Sequence, residues 1–212
     1  MLQGHSLILL VIIGINVLVS YKGFTDPNFI RKYYFHIGSI RAGEQIRMFS
    51  SAFLHADWQH LIFNMVTLYF FGPTVLYKLG DLGFMLVYFV SLASGSLLTL
   101  YMNRNNYNYT ALGASGAVMG VVFSGILINP DAEINFIIPA WLFGIGYLLF
   151  SIYGMRAKRD NIGHHAHFGG AIGGYVITLC REPELFSTEP LLIAGLALPI
   201  VILFVMDRMG KL

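Results

Sequence analysis

The chain has 212 residues, of which 56% are hydrophobic and only 11% are charged. Average soluble proteins carry about 25% charged residues, so the composition argues against a soluble globule. The formal net charge of +2 gives no indication of a nucleic-acid partner, and the single cysteine, Cys180, excludes an intrachain disulfide framework and a cysteine-based metal site. The length predicts one domain over residues 1–212.

Long runs of uncharged, mostly apolar residues predict a series of membrane-spanning helices. Roughly 17–25 such residues form a helix that crosses about 30 Å of hydrocarbon. Four runs are clear, and three are shorter or rich in glycine, which a bundle tolerates because neighbouring helices cover them. In chain order the predicted spans are residues 6–21, 60–77, 82–101, 115–128, 134–153, 164–180 and 191–206. The predicted fold class is therefore all-α, a polytopic transmembrane helix bundle.

The first connection, residues 22–59, is much longer than the others and mixes charged residues with apolar ones such as Phe29, Ile30 and Tyr33. Loops of this length in compact proteins are usually functional or disordered. The apolar content favours a structured segment that lies at the membrane interface.

Basic residues are divided unequally between the two ends of the predicted bundle. Of the 13 Lys and Arg residues, only Lys78 and Arg181 fall at the end that holds the N-terminus. The other end carries the first connection, and the positive-inside rule would place that end in the cytoplasm.

No Asp or Glu lies in the core of a predicted span. Ionisable groups at membrane depth are costly and usually functional, so their absence excludes several kinds of site. A paired-aspartate protease and a carboxylate-bridged di-iron site would lack their carboxylates. A zinc protease would carry His-Glu-x-x-His, and the chain has no His-Glu dipeptide.

A candidate nucleophile opens the fourth predicted span, where the residues from Gly113 to Gly116 read Gly-Ala-Ser-Gly. This position places Ser115 at the mouth of a short helix. Gly-x-Ser-Gly alone is a weak motif. A packing role is the alternative, because Gly116 and Gly120 form a small-xxx-small pair.

A candidate base, His167, lies near the start of the sixth predicted span and is followed by two overlapping Gly-x-x-x-Gly repeats. Glycines let helix backbones approach closely, which a Ser–His hydrogen bond of about 2.6–3.2 Å requires. With no acid at this depth, Ser115 and His167 would form a dyad. Packing would then have to hold the imidazole tautomer.

A third pair of polar residues begins the second predicted span. His60 and Asn64 are four residues apart and therefore lie on one face of a helix. Two side-chain donors on one face suit an oxyanion hole, with the Ser115 backbone N–H as a third donor. Alternatively, His60 reaches the interface and Asn64 hydrogen-bonds between helices.

Together these motifs resemble the rhomboid family of intramembrane serine proteases. That family carries His-x-x-x-Asn on its second span, Gly-x-Ser-Gly on its fourth and Ala-His-x-x-Gly-x-x-x-Gly on its sixth. The chain has all three motifs on those spans and in that order. The resemblance covers about residues 6–180 and implies a six-helix catalytic core, to which residues 191–206 add a seventh, C-terminal helix.

The resemblance implies a serine endopeptidase that cleaves transmembrane proteins within the lipid bilayer. Ser115 would be the nucleophile, His167 the general base and acid, and His60 with Asn64 would bind the oxyanion. His55 would have a structural role, and neither a cofactor nor a metal is implied. In the simplest bacterial members the first loop faces outward. We retain that orientation, although the distribution of basic residues opposes it.

Two positions depart from the family pattern. The first loop commonly carries Trp-Arg, where this chain has Ile46 and Arg47. Ile46 therefore puts the anchoring of the loop in doubt. A tyrosine that stacks on the catalytic histidine often follows the serine by four residues, where this chain has Met119. A thioether forms a looser wall, so we expect a less rigidly oriented His167.

Two other interpretations remain open. A catalytically inactive relative would bind transmembrane segments without cutting them, although such relatives usually lose the Ser or the His. A metal or haem transporter could use His164, His165 and His167, but no cysteine or intramembrane carboxylate accompanies them. No organelle transit peptide is apparent, which favours the cytoplasmic (inner) membrane of a bacterium.

Overall fold

The computed structural model describes residues 7–134, 138–157 and 162–212, and most of them are helical. The helices are α1 (Leu7–Thr25), α2 (Pro27–Tyr33), α3 (Ile37–Arg41), α4 (Arg47–Ser50), α5 (Trp58–Met102), α6 (Ser115–Ile128), α7 (Ala140–Ala157), α8 (His164–Arg181), α9 (Leu185–Thr188) and α10 (Pro190–Arg208), with a 3₁₀ turn at Ser51–Phe53. The strands are β1 (Phe35–His36), β2 (Thr110–Ala111), β3 (Glu133–Ile134) and β4 (Ile138–Pro139). The all-α prediction is confirmed, since these strands form only two short antiparallel pairs, β1–β2 and β3–β4.

The helix α5 contains two of the predicted spans and reverses direction between them. Gly80, with φ 69° and ψ 179°, interrupts the helical backbone. A Cβ on Gly72 would lie 3.5 Å from the Phe84 ring, whereas a straight helix would separate these residues by about 18 Å. Residues 58–79 and 81–102 therefore run as a helical hairpin, in agreement with the two spans predicted at 60–77 and 82–101.

Length and composition show that this is an integral membrane protein. Among the described residues, α1, α5 and α10 are long and apolar enough to cross a membrane, and α6 is a shorter apolar helix. The predicted bounds of α6 and α8 agree with the structure to within one residue. The first span was predicted as residues 6–21, but α1 continues to Thr25, and residue 6 lies outside the described range.

The predicted start of the fifth span, residue 134, is wrong. The short strands β3 and β4 pair in this region, and α7 begins only at Ala140. The residue before a proline avoids helical backbone, so Ile138 is extended ahead of Pro139. Residues 135–137, also in the predicted span, lie outside the described range.

The core of the bundle is built around α6, whose residues from Gly116 to Leu127 are all buried. One row of glycines on α8 packs against α6, and a second row packs against α5. Cβ atoms added to Gly170 or Gly174 would fall on the backbones of Gly116 and Gly120. The predicted close approach of glycine-bearing helices is confirmed.

The first connection is structured and is joined to the loop that precedes α6. Its strand β1 pairs with β2, which places Phe35 opposite Ala111. Arg47 is buried within this segment, where it donates hydrogen bonds to the carbonyl oxygens of Arg31 at 2.9 Å and Tyr34 at 3.2 Å. Ile46 is 63% exposed. Arg47 therefore anchors the loop from within, without a tryptophan at position 46.

The seventh helix, α10, lies outside this core and packs on α7. A Cβ on Gly144 of α7 would lie 3.0 Å from the side chain of Leu196 in α10. The outer face of α10 is apolar and exposed, with Leu191 and Leu198 among its residues. The seventh, C-terminal helix predicted at residues 191–206 is confirmed as α10.

Candidate active site

Ser115 is the first residue of α6, and the loop before it is held by two backbone hydrogen bonds. The N–H of Gly113 donates to the carbonyl of Ser51 at 3.0 Å, and the N–H of Ala114 donates to Nε2 of His55 at 3.3 Å. No side chain caps α6. The first N–H groups of a helix have no partner within the helix and attract negative charge, so the end of α6 suits an oxyanion next to Ser115.

His55 holds this loop in place through buried hydrogen bonds of its ring. It is fully buried, and its Nδ1 lies 2.8 Å from the hydroxyl of Ser20, which in turn donates to the carbonyl of Phe53 at 3.0 Å. Because Nε2 accepts from Ala114, the proton must be on Nδ1, and the ring is neutral. Burial lowers the pKa of His55 to about 3, which favours this neutral state. These contacts support the structural role predicted for His55.

The imidazole of His60 lies across Gly113 from Ser115. Its Nδ1 accepts a long hydrogen bond of 3.5 Å from the N–H of Ala56, which leaves the proton on Nε2. Gly113 has φ 130°, and a Cβ there would lie 2.8 Å from Nε2 of His60 and 3.8 Å from Oγ of Ser115. Only a residue without a side chain lets the His60 ring lie this close to the backbone, and an N–H donor and the serine hydroxyl therefore flank Gly113 on the same side.

Asn64 is buried one turn further along α5. Its amide nitrogen donates to the carbonyl of His60 at 3.0 Å, within the same helix. This contact supports the turn that carries His60. An amide has a second N–H, so a direct role of Asn64 in binding an oxyanion stays a prediction.

His167 and Ser115 lie on helices whose backbones touch beside them. A Cβ on Gly116 would lie 3.1 Å from the carbonyl oxygen of Ala166. No hydrogen bond joins the Ser115 hydroxyl to the His167 ring, two groups that the structure describes. In enzymes without substrate such bonds are often long and shorten only in the complex.

The structure adds to the candidate site a residue that none of the sequence motifs contains. The hydroxyl of Tyr147 in α7 lies 2.6 Å from Nδ1 of His167. The expectation that packing alone holds the imidazole is therefore wrong, and the partner comes from α7 rather than from position 119. Tyr147 lies inside the span predicted at residues 134–153. A tyrosine buried in a helix bundle usually has a hydrogen-bond partner for its hydroxyl, and this is the signal that the sequence offered.

The histidines offer little support for a metal site. Among residues 7–134, 138–157 and 162–212, no group of three or more His, Cys, Asp or Glu residues could hold a metal ion. The transporter interpretation thus has no metal centre in this part of the chain.

Comparisons with known proteins agree with the motifs. The sequence model of the family described as Rhomboid domain matches residues 42–183. RHOMBOID-like protein 12 of Arabidopsis thaliana mitochondria is 29% identical over 181 residues, which are 76% of this chain and 54% of that protein. Rhomboid protein 1 of Saccharomyces cerevisiae mitochondria is 30% identical over 174 residues, which are 77% of this chain and 50% of that protein. YdcA of Bacillus subtilis, whose name assigns it provisionally to the rhomboid proteases, is 32% identical over 151 residues, which are 67% of this chain and 70% of that protein.

The chain thus spans about half the length of the two mitochondrial relatives.

Proposed function

The chain belongs to the rhomboid family, and we propose that it is an intramembrane serine endopeptidase with a dyad of Ser115 and His167. The observation that carries this proposal is the placement of the Ser115 hydroxyl and Nε2 of His60 on the same side of Gly113, at the uncapped start of α6. A nucleophile with oxyanion donors beside it is the arrangement that acyl transfer requires.

The proposed reaction has two stages. Oγ of Ser115 attacks the carbonyl carbon of a peptide bond while its proton passes to Nε2 of His167. The carbonyl oxygen becomes an oxyanion, which the Ser115 N–H and the His60 Nε2–H stabilise. The C–N bond then breaks, and the imidazolium gives its proton to the departing amine, which leaves an ester on Ser115. In the second stage water gives a proton to His167 and hydrolyses that ester, and Ser115 recovers its proton.

The proposed substrates are other transmembrane proteins within the lipid bilayer. A peptide bond inside an intact helix has its carbonyl in the helix hydrogen-bond ladder, so a segment must unwind before Ser115 can attack it. Glycine, proline and other weak helix formers near the end of a span make such unwinding less costly. No cofactor takes part in the proposed reaction.

The alternative is a rhomboid-like protein that binds transmembrane segments and does not cleave them. Both interpretations predict binding, but only the protease predicts an ester on Ser115. Purified chain in lipid vesicles, incubated with a model transmembrane substrate, distinguishes them. We expect cleavage by the wild type and none by Ser115→Ala or His167→Ala.

Two controls make this test specific. A fluorophosphonate probe should label the wild type and not Ser115→Ala. The thermal unfolding midpoints of all three proteins should agree to within a few degrees, which shows that the variants are folded. Cleavage by either variant contradicts the dyad, and binding without cleavage by the wild type favours the inactive relative.

We further propose the cytoplasmic membrane of a bacterium as the location. The apolar helices require a membrane, and the Bacillus subtilis relative matches this chain over more of its own length than the mitochondrial ones do. Sedimentation with inner-membrane markers after expression from the native host would support this location. A tag on the N-terminus, tested for accessibility from each side, would decide the orientation.

A further inference from the structure

The helix α7 contributes one polar contact to the candidate site, and that contact is with the proposed base. The Tyr147 hydroxyl lies 2.6 Å from Nδ1 of His167. The two rings are tilted by 31° with centroids 6.2 Å apart, so the contact is made through the hydroxyl and not by ring stacking. Phe143, one turn earlier, stacks on Tyr147 at 5.7 Å and holds the phenol ring in place.

The direction of this hydrogen bond decides whether His167 can act as a base. If the phenol donates to Nδ1, the ring proton is on Nε2, and that nitrogen cannot accept a proton from Ser115. If Nδ1–H donates to the phenol oxygen, Nε2 has a free lone pair. Since Nδ1 faces Tyr147, Nε2 is the nitrogen left for Ser115.

We infer that Tyr147 is a positioning residue for the proposed protease: its oxygen accepts the Nδ1–H of His167, fixes the productive tautomer and stabilises the imidazolium that forms during the reaction. This inference rests on the proposed function. In a soluble triad an aspartate does this work. Here the acceptor is uncharged, and an uncharged group costs much less to bury at membrane depth than a carboxylate does.

The Tyr147 hydroxyl has a candidate acceptor for its own proton one turn along the same helix. Ser151 is fully buried, and its Oγ has no hydrogen-bond partner among the described residues. A tyrosine oxygen that accepts from Nδ1–H can donate its O–H to such a neighbour. One face of α7 thus carries both the acceptor for His167 and a free acceptor for the Tyr147 hydroxyl.

The test compares Tyr147→Phe, which removes only the hydroxyl, with Tyr153→Phe on the same helix, where the side chain is 64% exposed. Two quantities are measured in lipid vesicles: kcat and KM for a model transmembrane substrate, and the tautomer of His167 from ¹⁵N NMR of histidine-labelled protein. The His167 signal is assigned by its loss in His167→Gln.

We expect the Nδ1-protonated tautomer in the wild type and in Tyr153→Phe, and a mixture of tautomers in Tyr147→Phe. We also expect kcat of Tyr147→Phe to fall on the order of ten-fold or more with KM unchanged, the effect of losing one hydrogen bond to a group that becomes charged.

An Nε2-protonated wild type overturns the inference, even if Tyr147→Phe fails to fold. It is equally overturned if either the tautomer or kcat of Tyr147→Phe stays at the wild-type value. If the wild type cleaves nothing, the protease proposal fails, and the NMR measurement still reports whether Tyr147 holds the imidazole.

Discussion

Gly113 shapes the candidate site through a backbone angle and through the side chain that it lacks. Its φ of 130° lies in the region that favours glycine. The hydrogen in place of a side chain lets the His60 ring pack against the backbone beside the Ser115 hydroxyl. A single residue thus determines both the turn into α6 and the approach of the proposed oxyanion donor.

We predict that Gly113→Ala strongly lowers the rate of cleavage. The new Cβ would lie 2.7 Å from Cε1 of His60 and would displace that ring from its position beside Ser115. Loss of one oxyanion donor typically lowers kcat by about 10²–10³-fold. Gly43→Ala is the matched control, because Gly43 has φ 109° and no atom within 4 Å of an added Cβ. It tests backbone strain alone, and we expect its cleavage rate to remain close to that of the wild type. Wild-type cleavage by Gly113→Ala would show that the position of His60 beside Gly113 is not needed for the reaction.

We predict that His55 makes the fold less stable in acid. Its pKa is about 3 in the folded protein and has the ordinary value of 6.5 when unfolded. Between these values the unfolded chain binds a proton that the folded chain does not. Stability from His55 is therefore complete above about pH 6.5 and falls as the pH drops towards 3, by up to about 1.4 kcal/mol per pH unit.

The measurement is the thermal unfolding midpoint in detergent between pH 7.5 and pH 4.5, for the wild type and for His55→Gln. We expect the midpoint of the wild type to fall more steeply with acidity than that of the variant. Protonation of Nε2 would also break the bond from Ala114, next to the nucleophile. Equal slopes would show that His55 is not the group responsible.

At the scale of the elements, α8 shows how glycines arranged on two faces place a helix between two others. Gly169 and Gly173 face the second half of α5, at Ser94 and Ser91. Gly170 and Gly174 face the backbone of α6. Without a hydrophobic force between helices in lipid, such close van der Waals packing and backbone contacts supply the association energy. The proposed base and nucleophile are brought near each other by this packing.

We predict that Gly170→Ala destabilises the protein by about 1–3 kcal/mol, the usual cost of overpacking, because the added methyl would overlap the backbone of Gly116. Gly14→Ala in α1 is the control, since nothing lies within 4 Å of its added Cβ. Reversible unfolding in mixed detergent measures both. A loss of stability in Gly14→Ala equal to that in Gly170→Ala would mean that packing on α6 is not the cause.

At the scale of the whole molecule, the properties that the sequence predicted are those that depend on local composition or on short motifs. The spans follow from apolar length, and the residues around Ser115 and His167 follow from their spacing to glycines. The start of α7 could not be read in this way, because it depends on the pairing of β3 with β4. The contact between Tyr147 and His167 joins residues 20 positions apart on different helices, so it depends on how α7 packs on α8.

The peripheral helix α10 has a role in this arrangement because it is packed on α7, the helix that carries Tyr147. Leu196 is fully buried against Gly144, one turn from Tyr147, whereas Leu198 on the outer face of α10 is 59% exposed. We predict that Leu196→Ala costs about 2–5 kcal/mol of stability, the usual range for a buried leucine, and that Leu198→Ala costs almost nothing.

Two measurements over a range of temperatures test whether α10 holds α7 in place. They are thermal unfolding and the rate of cleavage of a transmembrane substrate. A loosened α7 lets the Tyr147 hydroxyl move away from Nδ1 of His167, so the cleavage rate of Leu196→Ala should fall below that of Leu198→Ala at temperatures where both variants are still folded. If Leu196→Ala unfolds earlier but cleaves at the wild-type rate until it does, α10 stabilises the bundle without affecting the site. Because Leu196 packs on α7, the combination of Leu196→Ala with Tyr147→Phe should lower the rate no further than Tyr147→Phe alone.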